Sequence, residues 1–130
     1  MKISRSTGYG LLAVGYIAKH SDKNIILSQT ISKEYNIPLE YLLKIMEHLV
    51  RARILQSKRG PRGGFSMGRP ATKITMLDVV EAIEGPFDVS LGFEECTNRG
   101  KFGTKAERVY AKAVAQSKAA LKKVKLSDLI

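Results

Sequence analysis

Cysteine is almost missing from this chain: a single one, Cys96, occurs in 130 residues. One thiol excludes an intramolecular disulfide and any zinc site built from several thiolates of one chain. Long apolar runs are missing too, since none approaches the roughly 18 to 20 residues that a membrane-spanning helix needs. The start Met1-Lys2-Ile3-Ser4-Arg5 has neither the apolar stretch nor the small-residue cleavage site of a secretory signal. A cytoplasmic protein with no membrane partner is therefore expected. No paired carboxylates, no nucleophile–base arrangement and no phosphate loop of the GxxxxGK[ST] type occur, which argues against an enzyme. His20 and His48 have no metal-ligating partner at a telling spacing, so no metal is expected. RNA is disfavoured because no aromatic stacking platform accompanies the basic charge.

Acidic residues are scarce as well. Twelve Asp and Glu face 22 Lys and Arg, for a formal charge of +10. Such a balance attracts polyanions through field effects and counterion release. The stretch from Arg51 to Lys73 contains no acidic residue and seven basic ones: Arg51, Arg53, Lys58, Arg59, Arg62, Arg69 and Lys73.

The remaining composition, 44% hydrophobic and 26% charged, is that of an ordinary globular fold, and the length suits one domain with appendages. Leu11, Leu12, Val14, Tyr16, Ile17 and Ala18 predict a buried helix from about Thr7 to Lys19, despite three glycines. Ser28 is expected to cap a short helix through Tyr35, which Asn36 ends in a left-handed conformation. Pro38 then opens a second helix, as proline is tolerated in a first turn. There Leu39, Leu42, Ile45, Met46, Leu49 and Val50 share one side, while Glu40, Lys44, Glu47 and Arg51 share the other, with Tyr41 and His48 beside them. A short helix, a tight turn and a longer amphipathic helix make a helix-turn-helix.

Two short strands, Ile54 to Lys58 and Phe65 to Met67, flank a loop of glycines and proline and predict a hairpin. Placed directly after a helix-turn-helix, it is a basic wing. Thr75 caps a further helix through Ile83 with Asp78 in its first turn, and Gly85-Pro86 stops it. Thr104 and Glu107 are expected to form a capping box for a final helix reaching Val124. The small-residue seam of Tyr110, Ala113, Ser117, Ala120 and Val124, spaced by threes and fours, predicts self-association into a homodimer. The fold class is thus mainly α with a β-hairpin wing. Residues 1–85 form the winged helix-turn-helix, 86–103 a candidate sensor loop, and 104–130 a dimerisation helix with its tail.

Several strings carry a resemblance. Met1-Lys2-Ile3-Ser4 with Tyr9, YNIPLEYL from Tyr35 to Leu42, and SKRGPRGGF from Ser57 to Phe65 are joined by ITMLDVVEAIEG from Ile74 to Gly85 and LSDLI at Leu126 to Ile130. Together they resemble the Rrf-two family of bacterial transcription regulators, with the wing string the most specific. The resemblance implies a winged-helix dimer that places its second helix-turn-helix element in the major groove and its wing in the minor groove. It also implies a long C-terminal helix crossing to the partner subunit. Cluster-binding relatives carry three cysteines in the loop before that helix, and this chain has one, so no cofactor is expected.

Duplex DNA is the expected partner, and the candidate contacts follow from chemistry. Residues at the start of a recognition helix reach base edges. Here they are Glu40, able to accept from a cytosine amino group, Tyr41 and Lys44, with Leu39 either against a thymine methyl or in the core. Gln29 and Thr30 open the preceding helix and suit phosphate anchoring. Lys58, Arg59 and Arg62, with Gly60, Gly63 and Gly64 allowing close approach, suit the narrow minor groove of A·T-rich DNA. Cys96 is a candidate redox sensor or an unreactive thiol. A regulatory protein or a small-molecule effector is the alternative source of control.

Overall fold

The computed structural model describes residues 3–59, 64–87, 90–93, 96 and 98–130. Its elements run α1 (Arg5–Lys19), α2 (Ser28–Tyr35), α3 (Leu39–Arg51), β1 (Leu55–Lys58), β2 (Gly64–Met67), α4 (Met76–Glu84) and α5 (Gly100–Lys122). The mainly helical class with one antiparallel hairpin is the one expected.

Helix α1 buries Thr7, Gly10, Ala13, Val14 and Ile17, one face at helical spacing. A Cβ built on Gly10 would collide with Ile83 Cδ1 and lie 3.3 Å from Ile45 Cγ2. This glycine, which weakens a helix by about 1 kcal/mol relative to alanine, marks where α1 crosses α4 and α3 at close range. Leu42, Ile45, Met46 and Leu49 from α3 meet this face, and Val79 from α4 completes a single core with Ile31, Ile37, Ile54 and Ile74.

The turn of the helix-turn-helix forms as its residues dictate. Asn36 sits in the left-handed region at φ 53°, and the Ser32 hydroxyl donates to the Ile37 carbonyl at 2.6 Å. Ile37, 2% exposed, plugs the angle between α2 and α3. Two boundaries differ from expectation. Ser28 is not the cap of α2 but its first helical residue, with extended Leu27 before it and no capping side chain. The reason is an isolated β-bridge: Ile26 exchanges backbone hydrogen bonds of 2.8 Å with Phe65 in both directions, which keeps the chain extended up to Leu27. Pro38, with ψ 128°, caps α3 from outside rather than opening it.

Strands β1 and β2 pair antiparallel, Leu55 with Met67 and Lys58 with Gly64. Helix α4 begins on a complete capping box, Thr75 Oγ1 accepting from the Asp78 N–H at 3.1 Å and Asp78 Oδ2 from the Thr75 N–H at 2.9 Å. Gly85, at φ 82°, ends it.

The C-terminal third corrects the sequence reading twice. Helix α5 starts at Gly100, four residues before the expected Thr104, so the connection is shorter than 86–103. The Thr104–Glu107 capping box does not form: Glu107 takes the Arg99 guanidinium at 2.5 Å, and the Thr104 hydroxyl donates to the Gly100 carbonyl. The tail packs back on the first 85 residues. The Met76 N–H donates to Val124 O and the Leu126 N–H to Ile74 O, at 2.8 and 2.9 Å, and Leu126 is buried in the core of the first 85 residues.

Candidate nucleic-acid interface

The amphipathic pattern of α3 turns its apolar side inward and leaves Glu40, Leu43, Lys44, Glu47 and Arg51 exposed. These five follow one another at intervals of three, one, three and four, a single stripe of the helix. Leu43, 40% exposed, belongs to that stripe, although the sequence reading gave it no role. Its spacing of three from Glu40 and four from Glu47 was the available signal. Leu39 is half-buried, between the stripe and the core.

Tyr41 stands apart from the stripe. Its phenolic oxygen is hydrogen-bonded to the Ser6 hydroxyl, and its ring meets Tyr9 edge-on at 5.7 Å and 86°. Helix α1 thus holds the first turn of α3 through an aromatic pair and one polar contact.

The hairpin lies against the other end of the stripe. A depression of 520 Å³ is shared by Leu43, Lys44, Glu47 and Arg51 of α3 with Ser57 and Phe65 of the two strands. Helix face and wing therefore form one continuous surface. Lys58 and Arg59 are exposed at the end of β1. Gly60, Arg62 and Gly63 lie outside the described residues. Gly64 belongs to the sheet: a Cβ there would fall 2.6 Å from both Ile25 Cγ2 and the Ile26 carbonyl oxygen, so the absent side chain lets β2 approach the 25–26 segment. Not all of the basic stretch faces outward. The Arg69 guanidinium donates to the carbonyls of Lys73 at 3.0 Å and Arg53 at 3.4 Å and lies 3.9 Å from Asp78, so it ties the chain behind the hairpin.

Gln29 and Thr30 are exposed in the first turn of α2, which has no capping side chain. Orphan N–H groups at such an end suit an anion. At the opposite end of α2, burial together with the neighbouring Glu34 and Tyr16 raises the Tyr35 phenol above its ordinary pKa.

On α5 the small-residue seam is divided. Tyr110, Ser117 and Val124 are half-buried against their own chain, while Ala113 and Ala120 are exposed. Lys118, 3.9 Å from Glu81, and buried Val114 mark the side that packs on α4. The free side carries Phe102 and Val109, 86% and 69% exposed, in line with Ala113, Gln116 and Ala120.

Cys96 is exposed, its N–H donating to Phe93 O at 2.9 Å. Among the described residues no helix is long and apolar enough to cross a membrane.

A family model described as Rrf2, iron-dependent transcriptional regulator, matches residues 3–130. The chain is 34% identical over 98 residues to the putative HTH-type transcriptional regulator BadM of Rhodopseudomonas palustris, covering 75% of this chain and 60% of that protein. It is 36% identical over 81 residues to a putative HTH-type transcriptional regulator of Aquifex aeolicus, covering 62% and 56%. The chain thus spans less than two thirds of these relatives. Among solved structures, CymR, the global cysteine regulator of B. subtilis, superposes with TM-score 0.81 at 25% identity over 99% of this chain and 95% of that one. T. potens IscR, at TM-score 0.75 and 24% identity over 99% and 85%, shares the fold.

The iron in the family's description does not fit the donors present. Soft thiolates hold iron–sulfur clusters, and this chain supplies one. The described residues bring no three His, Cys, Asp or Glu side chains together. With the match running from Ile3 to Ile130 and the winged-helix architecture in place, the chain belongs to the Rrf2 family of transcriptional regulators.

Proposed function

We propose that this protein is a sequence-specific DNA-binding transcription regulator that acts as a homodimer. The observation that carries the reading is the single surface made by the exposed stripe of α3 and the basic end of the hairpin. An α-helix fits the major groove, where donors and acceptors distinguish all four base pairs. Glu40, Leu43 and Lys44 enter it first, with Glu47 and Arg51 further along. Lys58 and Arg59, with Arg62 in the connecting loop, reach the adjacent minor groove, whose negative potential is strongest over A·T tracts. Gln29, Thr30 and the uncapped N–H groups of α2 hold a phosphate and set the register of the complex.

Two copies associate through the free side of α5, with Ala113 and Ala120 between Phe102, Val109 and the half-buried Tyr110, Ser117 and Val124. A two-fold dimer of this kind reads two half-sites about one helical turn, ~34 Å, apart. The deciding experiment is selection of bound sequences from random duplex DNA. Recovery of a palindrome is expected; enrichment of no duplex overturns the reading.

Control through thiol oxidation at Cys96 is a second proposal, favoured by the exposure of that sulfur. Cys96→Ser then abolishes any change in operator affinity caused by peroxide, and an unaltered response refutes the switch.

A further inference from the structure

A cavity of about 580 Å³ lies apart from the α3 surface and from the free side of α5, since no residue of either helix lines it. Its walls come from four parts of the chain. Leu11, Leu12, Gly15, Tyr16 and Lys19 of α1 follow one another at intervals of one, three, one and three, a single stripe of that helix. Glu34 and Tyr35 line it from the end of α2, Met76 from the start of α4, and Leu126 and Leu129 from the C-terminal tail. Small-molecule sites span roughly 300–1,000 Å³ and combine apolar walls with a few placed polar groups.

Gly15 keeps this space open. It stands in the interior of α1, where glycine costs about 1 kcal/mol relative to alanine, yet a Cβ built on it meets no atom within 4 Å. Gly10, by contrast, is demanded by the close approach of Ile83. Packing of α1 gives no reason for glycine at position 15, whereas a long side chain there occupies the cavity.

The aromatic wall is fixed in place. Tyr16 stacks on His20 with ring centroids 4.1 Å apart and meets Tyr35 edge-on at 6.2 Å and 86°. The His20 Nδ1–H donates to the Tyr16 carbonyl at 2.8 Å, which orients the imidazole. Two opposite charges complete the lining. Lys19 and Glu34 are exposed, come from separate helices, and form no ion pair or side-chain hydrogen bond, with each other or elsewhere, among the described residues.

We propose that this cavity binds an α-amino acid with a hydrophobic side chain. The ligand carboxylate meets the Lys19 ammonium, the ligand ammonium meets the Glu34 carboxylate, and the side chain lies against Leu12, Tyr16, Met76 and Leu126. Charge-assisted contacts of this kind are the strong ones. A ligand with a single charge leaves Lys19 or Glu34 unanswered, and the interior of a peptide segment from a second copy brings neutral amides in place of both charges.

Calorimetric titration of the full chain with L-phenylalanine and with L-leucine tests the site, and thermal melts give a second readout because a ligand of the native state raises the melting temperature. Saturable binding of at least one of the two is expected. The analogues of the binder that lack its ammonium or its carboxylate bind at least tenfold more weakly. Lys19→Gln and Glu34→Gln each weaken binding at least tenfold, and Gly15→Leu abolishes it by filling the cavity. Gly8→Ala, on the same helix outside the cavity, binds as wild type does. If Gly15→Leu fails to fold by circular dichroism, the two exposed charge variants carry the test. Neither heat nor a raised melting temperature with either amino acid overturns the proposal. Equal affinity for the amino acid and its one-charge analogues does so too, as does binding that both charge variants leave unaltered. A Gly15→Leu chain whose sedimentation changes while neither amino acid binds wild type also overturns it, and assigns the cavity to contact between copies. No duplex enters these measurements, so their outcome is separate from that of the DNA-binding reading.

Discussion

The hydroxyl of Ser6 and the phenol of Tyr41 are hydrogen-bonded across two helices, so the first turn of α3 is fastened to the first turn of α1. Tyr41 keeps 38% of its surface exposed while making this bond within its own chain. Removing the phenol in Tyr41→Phe keeps the edge contact with Tyr9 and deletes one hydrogen bond, which costs about 0.5–1.5 kcal/mol of stability. Ser6→Ala costs a similar amount, and the double variant costs less than the sum of the two. Urea unfolding of the four proteins checks this; strict additivity shows that the pair does not interact.

The two ends of the basic stretch respond differently to substitution. Lys58→Ala and Arg59→Ala each lower the slope of log K against log salt by about 0.9 when the side chain meets one phosphate. Arg69→Ala leaves the slope unchanged and lowers the melting temperature, because its guanidinium serves the Arg53 and Lys73 carbonyls. Salt titrations of duplex binding separate the two classes.

Glycines with the same sequence appearance have opposite sensitivities. Gly64→Ala drives a methyl to 2.6 Å from the backbone oxygen of Ile26 and loses about 1–3 kcal/mol through strain and strand displacement. Gly8→Ala in α1 meets no atom within 4 Å and gains about 0.5–1 kcal/mol from helix propensity. Thermal melts of the two variants against wild type move in opposite directions.

Thr75→Ala removes the hydroxyl that caps α4 and costs about 1 kcal/mol. The neighbouring bridge between Thr75 and Lys125 makes the C-terminal tail share the loss. Hydrogen exchange at Leu126, whose N–H donates to Ile74, quickens in the variant. An unchanged rate there shows that the tail is held independently of the cap.

Val109→Glu and Phe102→Glu place charge on the free side of α5. Sedimentation shifts toward the monomer in both, while Lys118→Ala on the α4 side leaves the assembly state as it was. A wild-type sedimentation profile for both glutamate variants refutes the proposed interface on this side of α5.

Much of this architecture was written in local chemistry. Asn36 ends α2 because it tolerates the left-handed region, and the i, i+3, i+4 spacing from Leu42 to Leu49 sets which side of α3 is buried. Thr75 and Asp78 start α4 through bonds between residues three apart. Two caps went astray because a side chain or strand outside the capping pattern took the partner. Ser28 lost its expected role because Ile26 pairs with Phe65. Thr104 lost its role because Arg99 takes Glu107, and the bond from Tyr41 to Ser6, across 35 positions, left no mark in the local pattern.

The scarcity of cysteine and of acidic residues, the element types and the single basic stretch are properties of composition and short-range pattern, so the linear chain carried them in full. Which of the basic groups face outward, where α5 begins, and how Glu84 comes to accept from the Thr7 hydroxyl 77 positions away depend on which segments close packing brings together. Those contacts exist only after the core of α1, α3 and α4 has formed, because burial holds the distant partners at hydrogen-bonding distance and local preference does not encode them.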